Sequence, residues 1–339
     1  MPVSFSSEDL QLVAPLSSVP ALLRRFGINP AEVLAAAGLS ATALDDPKAL
    51  IPYAGMGLLL EAAASKTRCP HFGLEVGQQI HTTSLGLVGE LMRNAPTVGV
   101  ALRDFTANQH RNAHGSVAYL VPDKEHVLFG YAIYHPHNRG YHVICDFVAM
   151  GGFNVICELT GGEHKCLIEV LLSRCKPQDL APYQHAFGVK IRFDAEQTAL
   201  LLPRAILDHP VAGADCEHRK VVEQRVAALW HAGELDIATQ LRRLLRVALL
   251  SGEVNADKIA ARMGISRRTL HRRLDAQGLR FRQVLDETRI EFARQLLANT
   301  RIGICQIATL VGYADPSILT RGFVRSMGLP PSKWRSRIG

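Results

Sequence analysis

Two stretches near the C-terminus repeat one pattern: Asp257-Lys-Ile-Ala-Ala-Arg-Met-Gly264-Ile-Ser-Arg-Arg-Thr-Leu270-His-Arg-Arg-Leu274, and Gln306-Ile-Ala-Thr-Leu-Val-Gly312-Tyr-Ala-Asp-Pro-Ser-Ile-Leu319-Thr-Arg-Gly-Phe323. Each reads as two short helices around a corner. Ala260 and Ala308 are small enough for the second helix to cross the first closely, and Gly264 and Gly312 tolerate the left-handed backbone that ends the first helix. Ile259, Met263, Ile265, Leu270 and Leu274 would lock one pair together; Ile307, Val311, Tyr313, Leu319 and Phe323 would lock the other. Leu270/Leu274 and Leu319/Phe323 are both i, i+4 pairs, so each lies on one helical face. Each second helix carries its own start signal, Ser266 in one and Asp315 followed by Pro316 in the other.

Two helix-turn-helix units in one chain point to double-stranded DNA read twice. An ordinary helical domain could share one Ala-x-x-x-Gly corner by chance, but two copies with matching apolar locks are far more specific. Charge agrees. Residues 235–339 hold 19 Lys and Arg against 8 Asp and Glu, a net of +11, whereas residues 1–234 hold 19 against 23, a net of −4. A basic end on a slightly acidic body suits a polyanion-binding module beside a separate domain. A solvated arginine-rich surface would also be basic, yet it would not crowd Arg267, Arg268, Arg272 and Arg273 onto one recognition helix and Arg321 and Arg325 onto the other.

The corner glycines are 48 residues apart, and between them runs Phe281-Arg-Gln-Val-Leu-Asp-Glu-Thr-Arg289-Ile-Glu-Phe-Ala-Arg294-Gln-Leu-Leu-Ala298, a long helical stretch. With the closing Gly328-Leu-Pro-Pro-Ser332-Lys-Trp-Arg335, this arrangement closely resembles the DNA-binding domain of AraC-family transcriptional regulators over about residues 235–338. The resemblance implies that the linker helix holds both units toward one side of the duplex. Eighteen helical residues extend about 27 Å, against the roughly 34 Å between successive major grooves on one face. Phe281, Leu285, Thr288 and Phe292 mark the linker face expected to pack on both units.

Upstream, His71-Phe-Gly-Leu-Glu-Val-Gly77, Leu85-Gly-Leu-Val-Gly-Glu-Leu-Met92, Ala95-Pro-Thr97 and Phe193-Asp-Ala-Glu-Gln-Thr-Ala199, with Leu202-Pro-Arg204 and Leu207-Asp-His-Pro210, are similar to the effector domain of the regulator subgroup that includes the ornithine-utilisation regulators. Families label that domain "arabinose-binding", which says little about the ligand. It does not resemble the cupin barrel of the arabinose regulator itself. The two resemblances together span nearly all of the 339 residues, a length that exceeds one ordinary core, and the 47% hydrophobic content suffices for two. The expected division is an effector-binding and dimerisation domain over 1–215, an interdomain helix over 216–234 and a DNA-binding domain over 235–339.

For the first domain the pattern predicts helices before and within a small sheet, hence an α+β fold, followed by an all-α second domain. Asn29-Pro30 with Glu32 is a helix start, and residues 54–65 and 85–93 read as apolar helices. Residues 116–121 and 127–134 form a hairpin around 122–125, further strands fall at 166–173 and 189–193, and a buried helix runs over 141–159 to the stop at Gly161-Gly162. In the connecting helix Val222, Val226 and Leu229 share a stripe that suits a dimer contact or packing on its own domain.

No uncharged apolar run reaches bilayer-spanning length, and the N-terminus lacks a signal-peptide pattern, so a cytoplasmic location with no membrane partner is expected. The seven cysteines, Cys69, Cys145, Cys157, Cys166, Cys175, Cys216 and Cys305, contain no C-x-x-C pair and read as reduced. His135, His137 and His142 cluster without metal-ligand spacing, so neither a metal site nor a cofactor is expected. No catalytic constellation is present: there is no G-x-S-x-G, no H-E-x-x-H and no phosphate-cradling loop. A DNA-repair alkyltransferase carrying an AraC-like domain is the enzyme alternative, but its zinc tetrad and Pro-Cys-His-Arg motif are missing.

The expectation is a regulator, by resemblance an activator, that binds promoter DNA, answers a small-molecule effector, dimerises and, if an activator, contacts RNA polymerase. A constitutive DNA-binding protein without effector is the alternative. By resemblance the groove-facing positions map to Arg268, His271 and Arg272 in the first unit and to Ser317, Ile318 and Arg321 in the second, with Thr320 suited to phosphate. Arg267, Thr269 and Arg325 complete the DNA set. His110, Arg111, Tyr131 and Tyr134, beside the apolar segments of the sheet, are the effector candidates.

Overall fold

A computed structural model describes residues 10–109, 112–113, 116–122, 124–133, 139–162, 167–231, 237–250, 254–263, 265–299 and 301–338. The chain separates into two compact units, residues 1–216 and 217–339.

The first unit opens with β1 (Leu10–Leu12), α1 (Val19–Arg25), α2 (Pro30–Ala36), β2 (Leu50–Pro52), α3 (Tyr53–Thr67), α4 (Phe72–Gly77), α5 (Gly86–Arg93) and α6 (Val98–Asn108). It continues through β3 (Ser116–Pro122), β4 (His126–Ile133), α7 (Tyr141–Leu159), β5 (Glu169–Leu171), α8 (Ala181–Phe187), β6 (Lys190–Arg192) and β7 (Thr198–Pro203). The strands β1 and β2 form a small antiparallel pair, and the other five make one sheet in the order β3-β4-β7-β5-β6. All its neighbours are antiparallel except β5 and β6, whose crossover carries α8. This is the expected α+β arrangement.

Local signals act where they were read. Asn29 accepts the Ala31 N–H at 3.1 Å to start α2, and α7 stops where Gly161 and Gly162 take φ of 73° and 94°. The hairpin pairs Ser116 with Ile133 and Pro122 with Val127. The expected strands at 166–173 and 189–193 are shorter, and β1, β2 and β7 were not anticipated. Three-residue strands show too little alternation to register, and the Leu200-Leu201-Leu202 run of β7 reads equally as strand or buried helix.

The core of this unit is built around α7, which packs against β7, α3 and α4. The contact with α4 is at backbone distance. A Cβ at Gly73 would lie 2.2 Å from the Val143 carbonyl oxygen, and one at Gly77 would lie 2.6 Å from Met150 Cβ. The glycine pair is therefore what lets two helices meet so closely. By length and composition α7 could cross a bilayer, but it carries Asp146 and Glu158 and 72% of that span is buried inside the protein, as in the core helix of a folded domain.

Buried within α7 is Asp146, whose Oδ2 accepts from Arg174 Nη1 and from the Tyr183 hydroxyl at 2.7 Å. Desolvation pushes the Asp146 carboxyl up to about 7, outweighing the opposing pull of Arg174. The folded state therefore holds a proton that the unfolded chain releases near pH 4, and stability falls as pH rises from about 4 to about 7.

Arg174→Met should strand this carboxylate and cost about 3–5 kcal/mol. The loss should be largest above pH 7 and shrink toward pH 5, where the acid is protonated. Thermal melts of wild type and variant across that range measure it.

The second unit is helical. It contains α9 (Cys216–His231), α10 (Ile237–Leu250), α11 (Ala256–Arg262), α12 (Arg267–Asp275), α13 (Phe281–Asn299), α14 (Ile304–Leu310), α15 (Pro316–Met327) and α16 (Pro331–Ile338). Val222 and Val226 of α9 are buried, while the Leu229 side chain lies outside the described residues.

Candidate DNA interface and effector cavity

The first helix-turn-helix is α11 and α12, and Ser266 starts the second helix as expected, while Asn255, not anticipated from the sequence, starts the first. Asn255 accepts the N–H groups of Asp257 and Lys258, and Ser266 accepts that of Thr269 at 3.2 Å. Ile259, Met263, Leu270 and Leu274 join Leu241, Leu245 and Leu249 of α10 and Val284 and Leu285 of α13 in one apolar core. Gly264 lies outside the described residues. With Leu270 and Leu274 buried, the 100° step of the helix puts Arg268 and Arg272 on the opposite, exposed side. Neither arginine has an ion-pair partner among the described residues, so both guanidinium forks are available to an acceptor.

Other members of the expected set are less free. Arg267 pairs with Asp257 at 3.2 Å, Thr269 Oγ1 lies 3.0 Å from Ser266 Oγ within the first turn, and the half-buried His271 ring leans on Phe281 at 6.5 Å between centroids. These three are tied to the scaffold in the free protein.

In the second unit, α14 and α15, Asp315 accepts the Ser317 N–H at 2.7 Å and its hydroxyl at 2.8 Å, with Pro316 at the first helical position. These bonds hold the Asp315 carboxyl below the usual carboxylate range. Leu319 and Phe323 are fully buried, which directs Ser317, Arg321, Val324 and Arg325 outward, with exposed Ile318 at the flank. Thr320 Oγ1 donates to the Pro316 carbonyl at 3.0 Å, so its proton is already engaged within the helix. Val324, 38% exposed on this surface, was missed because its neighbours drew attention as charges.

At the corner Gly312 adopts φ +77°, and a Cβ there would come within 3.0 Å of Leu249 Cδ2. Arg289 of α13 secures this corner from outside. Its guanidinium donates to the Gly312 carbonyl at 3.1 Å and lies 4.8 Å from the Tyr313 ring centroid. Arg335 of α16 donates to the carbonyls of Leu297 and Ile302, and Trp334 meets Phe323 edge-on at 5.7 Å. The expected linker face is buried at Leu285, Thr288 and Phe292 and half-buried at Phe281.

The first unit contains a half-open apolar cavity between α7, the end of α6 and the faces of β4 and β7. Its walls are apolar, with Ile80, Met92, Phe105, Phe129, Phe147 and Leu200 prominent. The polar groups are Gln11, Gln109, Asn112, Tyr131 and Thr198, and no charged side chain lines it among the described residues. Tyr131, an expected effector residue, is here; His110, Arg111 and Tyr134 lie outside the described residues. Gln109 Nε2 donates to Ser116 Oγ at 3.0 Å, and Ser116 Oγ in turn bonds the Tyr131 hydroxyl. Burial raises the pKa of Tyr131, keeping the phenol neutral. Sequence reasoning passed over Gln109 and Asn112, although buried amides beside the end of an apolar helix are a usable signal.

Cys69, Cys145 and Cys157 are buried free thiols, Cys175, Cys216 and Cys305 are exposed, and Cys166, His135 and His137 lie outside the described residues. Among the described residues no group of His, Cys, Asp or Glu is arranged to hold a metal ion.

A paired helix-turn-helix domain that follows, in sequence, an α+β domain with an apolar cavity has the construction of a DNA-binding regulator. Comparison with known proteins is specific. Residues 27–211 match the arabinose-binding N-terminal domain of AraC transcription regulators, and residues 259–337 match a helix-turn-helix domain. The chain belongs to the AraC family of transcription regulators, and it is a DNA-binding regulator rather than an enzyme. It is 26% identical to the ornithine utilization regulator of Pseudomonas aeruginosa over 98% of each chain, and 25% identical to the transcriptional regulator VirS of Mycobacterium tuberculosis over 93% of each. The crystal structure of the regulator CdpR from Pseudomonas aeruginosa aligns with 95% of this chain and 96% of its own, at 24% identity and a TM-score of 0.49.

The Arg289 clamp yields a test. Arg289→Met keeps the apolar stem but removes the bond to Gly312 and the stacking on Tyr313, a loss of about 1 kcal/mol in support of the second unit. Operator affinity should fall about fivefold, with hydroxyl-radical protection lost at the second unit's half-site while the first half-site stays protected.

Proposed function

We propose that residues 235–339 bind promoter DNA through α12 and α15 while residues 1–215 hold a small-molecule effector, with 216–234 connecting them. The observation that carries the reading is the pair of outward faces, Arg268 with Arg272 and Ser317 with Ile318 and Arg321, each set opposite a buried apolar pair on its helix. His271 completes the groove-facing set of the first helix, Arg267, Thr269 and Arg325 flank the two faces, and Thr320 meets phosphate by releasing its bond to the Pro316 carbonyl. The protein acts in the cytoplasm as a homodimer on paired half-sites and activates transcription through contact with RNA polymerase, as the family resemblance implies.

Tyr131 belongs to the effector site; the other three expected effector residues, His110, Arg111 and Tyr134, lie outside the described residues and are not part of the proposed site. The name of the ornithine utilization regulator supports a metabolite as the class of signal. Ornithine itself is not the effector we propose, because its charges would find no opposite charge among the described cavity walls.

The two recognition helices should read DNA differently. An arginine fork on guanine supplies about 1–3 kcal/mol of discrimination. Arg272→Ala should therefore weaken operator binding and relax preference at one base pair in a titration at fixed salt; unchanged affinity and specificity would remove it from the interface. The second helix offers Ile318 and Val324, which suit the thymine methyl group. Replacing the thymines of its half-site with uracil should cost about 0.8 kcal/mol per contacted methyl, whereas the same replacement in the first half-site should cost little. Equal losses in both would show that the second helix does not read methyl groups.

A constitutive DNA-binding protein would show the same footprint whatever metabolite is added. A change in operator occupancy with effector separates the two readings.

A further inference from the structure

We propose that the effector is a neutral, mainly hydrocarbon molecule carrying a hydrogen-bond acceptor such as a ketone or ester carbonyl, held in the α7 cavity with its oxygen on Asn112. This rests on the sensor reading above and names its ligand class. The cavity provides the first reason. Its described walls are aromatic and aliphatic, and they include no Lys, Arg, His, Asp or Glu. An ionised ligand group placed there would lose its hydration without gaining a counter-charge, whereas a hydrocarbon chain gains from every apolar contact.

Asn112 provides the second, independent reason. It lines the cavity at only 6% exposure, and its Nδ2 amide has no hydrogen-bond partner among the described residues. Nearby polar groups are already engaged: Gln109 with Ser116, Ser116 with Tyr131, and Thr198 with Ser173 at 2.7 Å. A buried donor without an acceptor is destabilising. The Nδ2 atom is covered in the free protein, so a turn of the Asn112 side chain toward the cavity brings it to a carbonyl oxygen, which supplies what it lacks. A pure hydrocarbon would leave it unsatisfied, and a sugar would bring several hydroxyls to walls that cannot bond them.

Gly152 of α7 gives a handle on the cavity that is separate from its polar end. It lines the cavity, and a Cβ built there would sit 3.4 Å from Leu200 Cδ1 and 3.6 Å from Phe129 Cε1, ordinary contact distances. Gly152→Ala therefore fits, narrows the space and replaces a poor helix former with the best one. Gly152→Leu would project further into the same space.

The experiment uses the full-length protein, with dissociation constants from calorimetry and thermal melting for five probes: 2-undecanone, 1-decanol, decanoate at pH 8, L-arabinose and L-ornithine. The expected result is that 2-undecanone raises Tm and binds at least tenfold tighter than decanoate, with neither arabinose nor ornithine binding. Asn112→Leu should weaken 2-undecanone about tenfold. Gly152→Ala should keep or raise the Tm of the free protein while weakening the probe, and Gly152→Leu should abolish binding.

Equal or tighter binding of decanoate, or binding of the ketone that neither the Asn112 nor the Gly152 variants disturb, overturns the proposal. So does the absence of binding by both neutral probes. If arabinose or ornithine binds instead and Gly152→Leu blocks it, the ligand class is wrong and the sensor reading stands. If the ketone binds as expected but leaves operator affinity unchanged, the ligand class stands and the sensor reading fails.

Discussion

The DNA-binding half depends on one helix being apolar on more than one side. Val284 and Leu285 of α13 belong to the core of the first helix-turn-helix, while the same helix packs against α14, α15 and α16 of the second. Ile290 approaches the second recognition helix closely, 3.2 Å from where a Cβ on Gly322 would stand. Each helix-turn-helix is too small to bury its own apolar face, so α13 supplies a wall to both. Polar side chains at its margins brace the packing: the half-buried Arg289 holds the Gly312 carbonyl, and the exposed Glu287 pairs with Arg242 of α10 at 3.3 Å.

The sensor half is organised by a comparable constraint, the backbone-level approach of α4 to α7. Gly73 and Gly77 remove the side chains that would hold the helices apart, so α7 is covered on one side by α3 and α4 and on the other by the sheet. A helix covered in this way can be almost wholly apolar and still carry a buried Asp146, provided Arg174 and Tyr183 reach it. The same helix also offers Phe147, Gly151 and Gly152 to the cavity. Structural support and cavity wall are thus two faces of one element.

Legibility in the sequence followed the range of the interactions. Helix starts at Asn29, Ser266 and Asp315 were readable because each is made within three residues. The helix-turn-helix cores were readable because their apolar spacing is local as well. The cavity was not, since its lining is drawn from positions near 11, 80, 105–113, 130, 150 and 200, which only the fold brings together. Tyr131 was found because a polar aromatic in an apolar strand stands out; Asn112 carries no such mark. Neither did the Arg289 clamp, because an arginine on a linker helix looks like any solvated cation until the Gly312 carbonyl is placed beside it.

The burial of Leu270 and Leu274 on α12, and of Leu319 and Phe323 on α15, has a consequence for how such a protein changes over time. The side chains that hold each recognition helix in place and those that face outward occupy opposite sides of the same cylinder. Substitutions at positions 268, 272, 317, 318 or 321 therefore leave the cores untouched. On the reading proposed above, in which these positions face the operator, target preference can drift one base pair at a time, and independently in the two units, without passing through an unstable intermediate. A duplicated regulator can acquire a new operator while its architecture stays under strict selection.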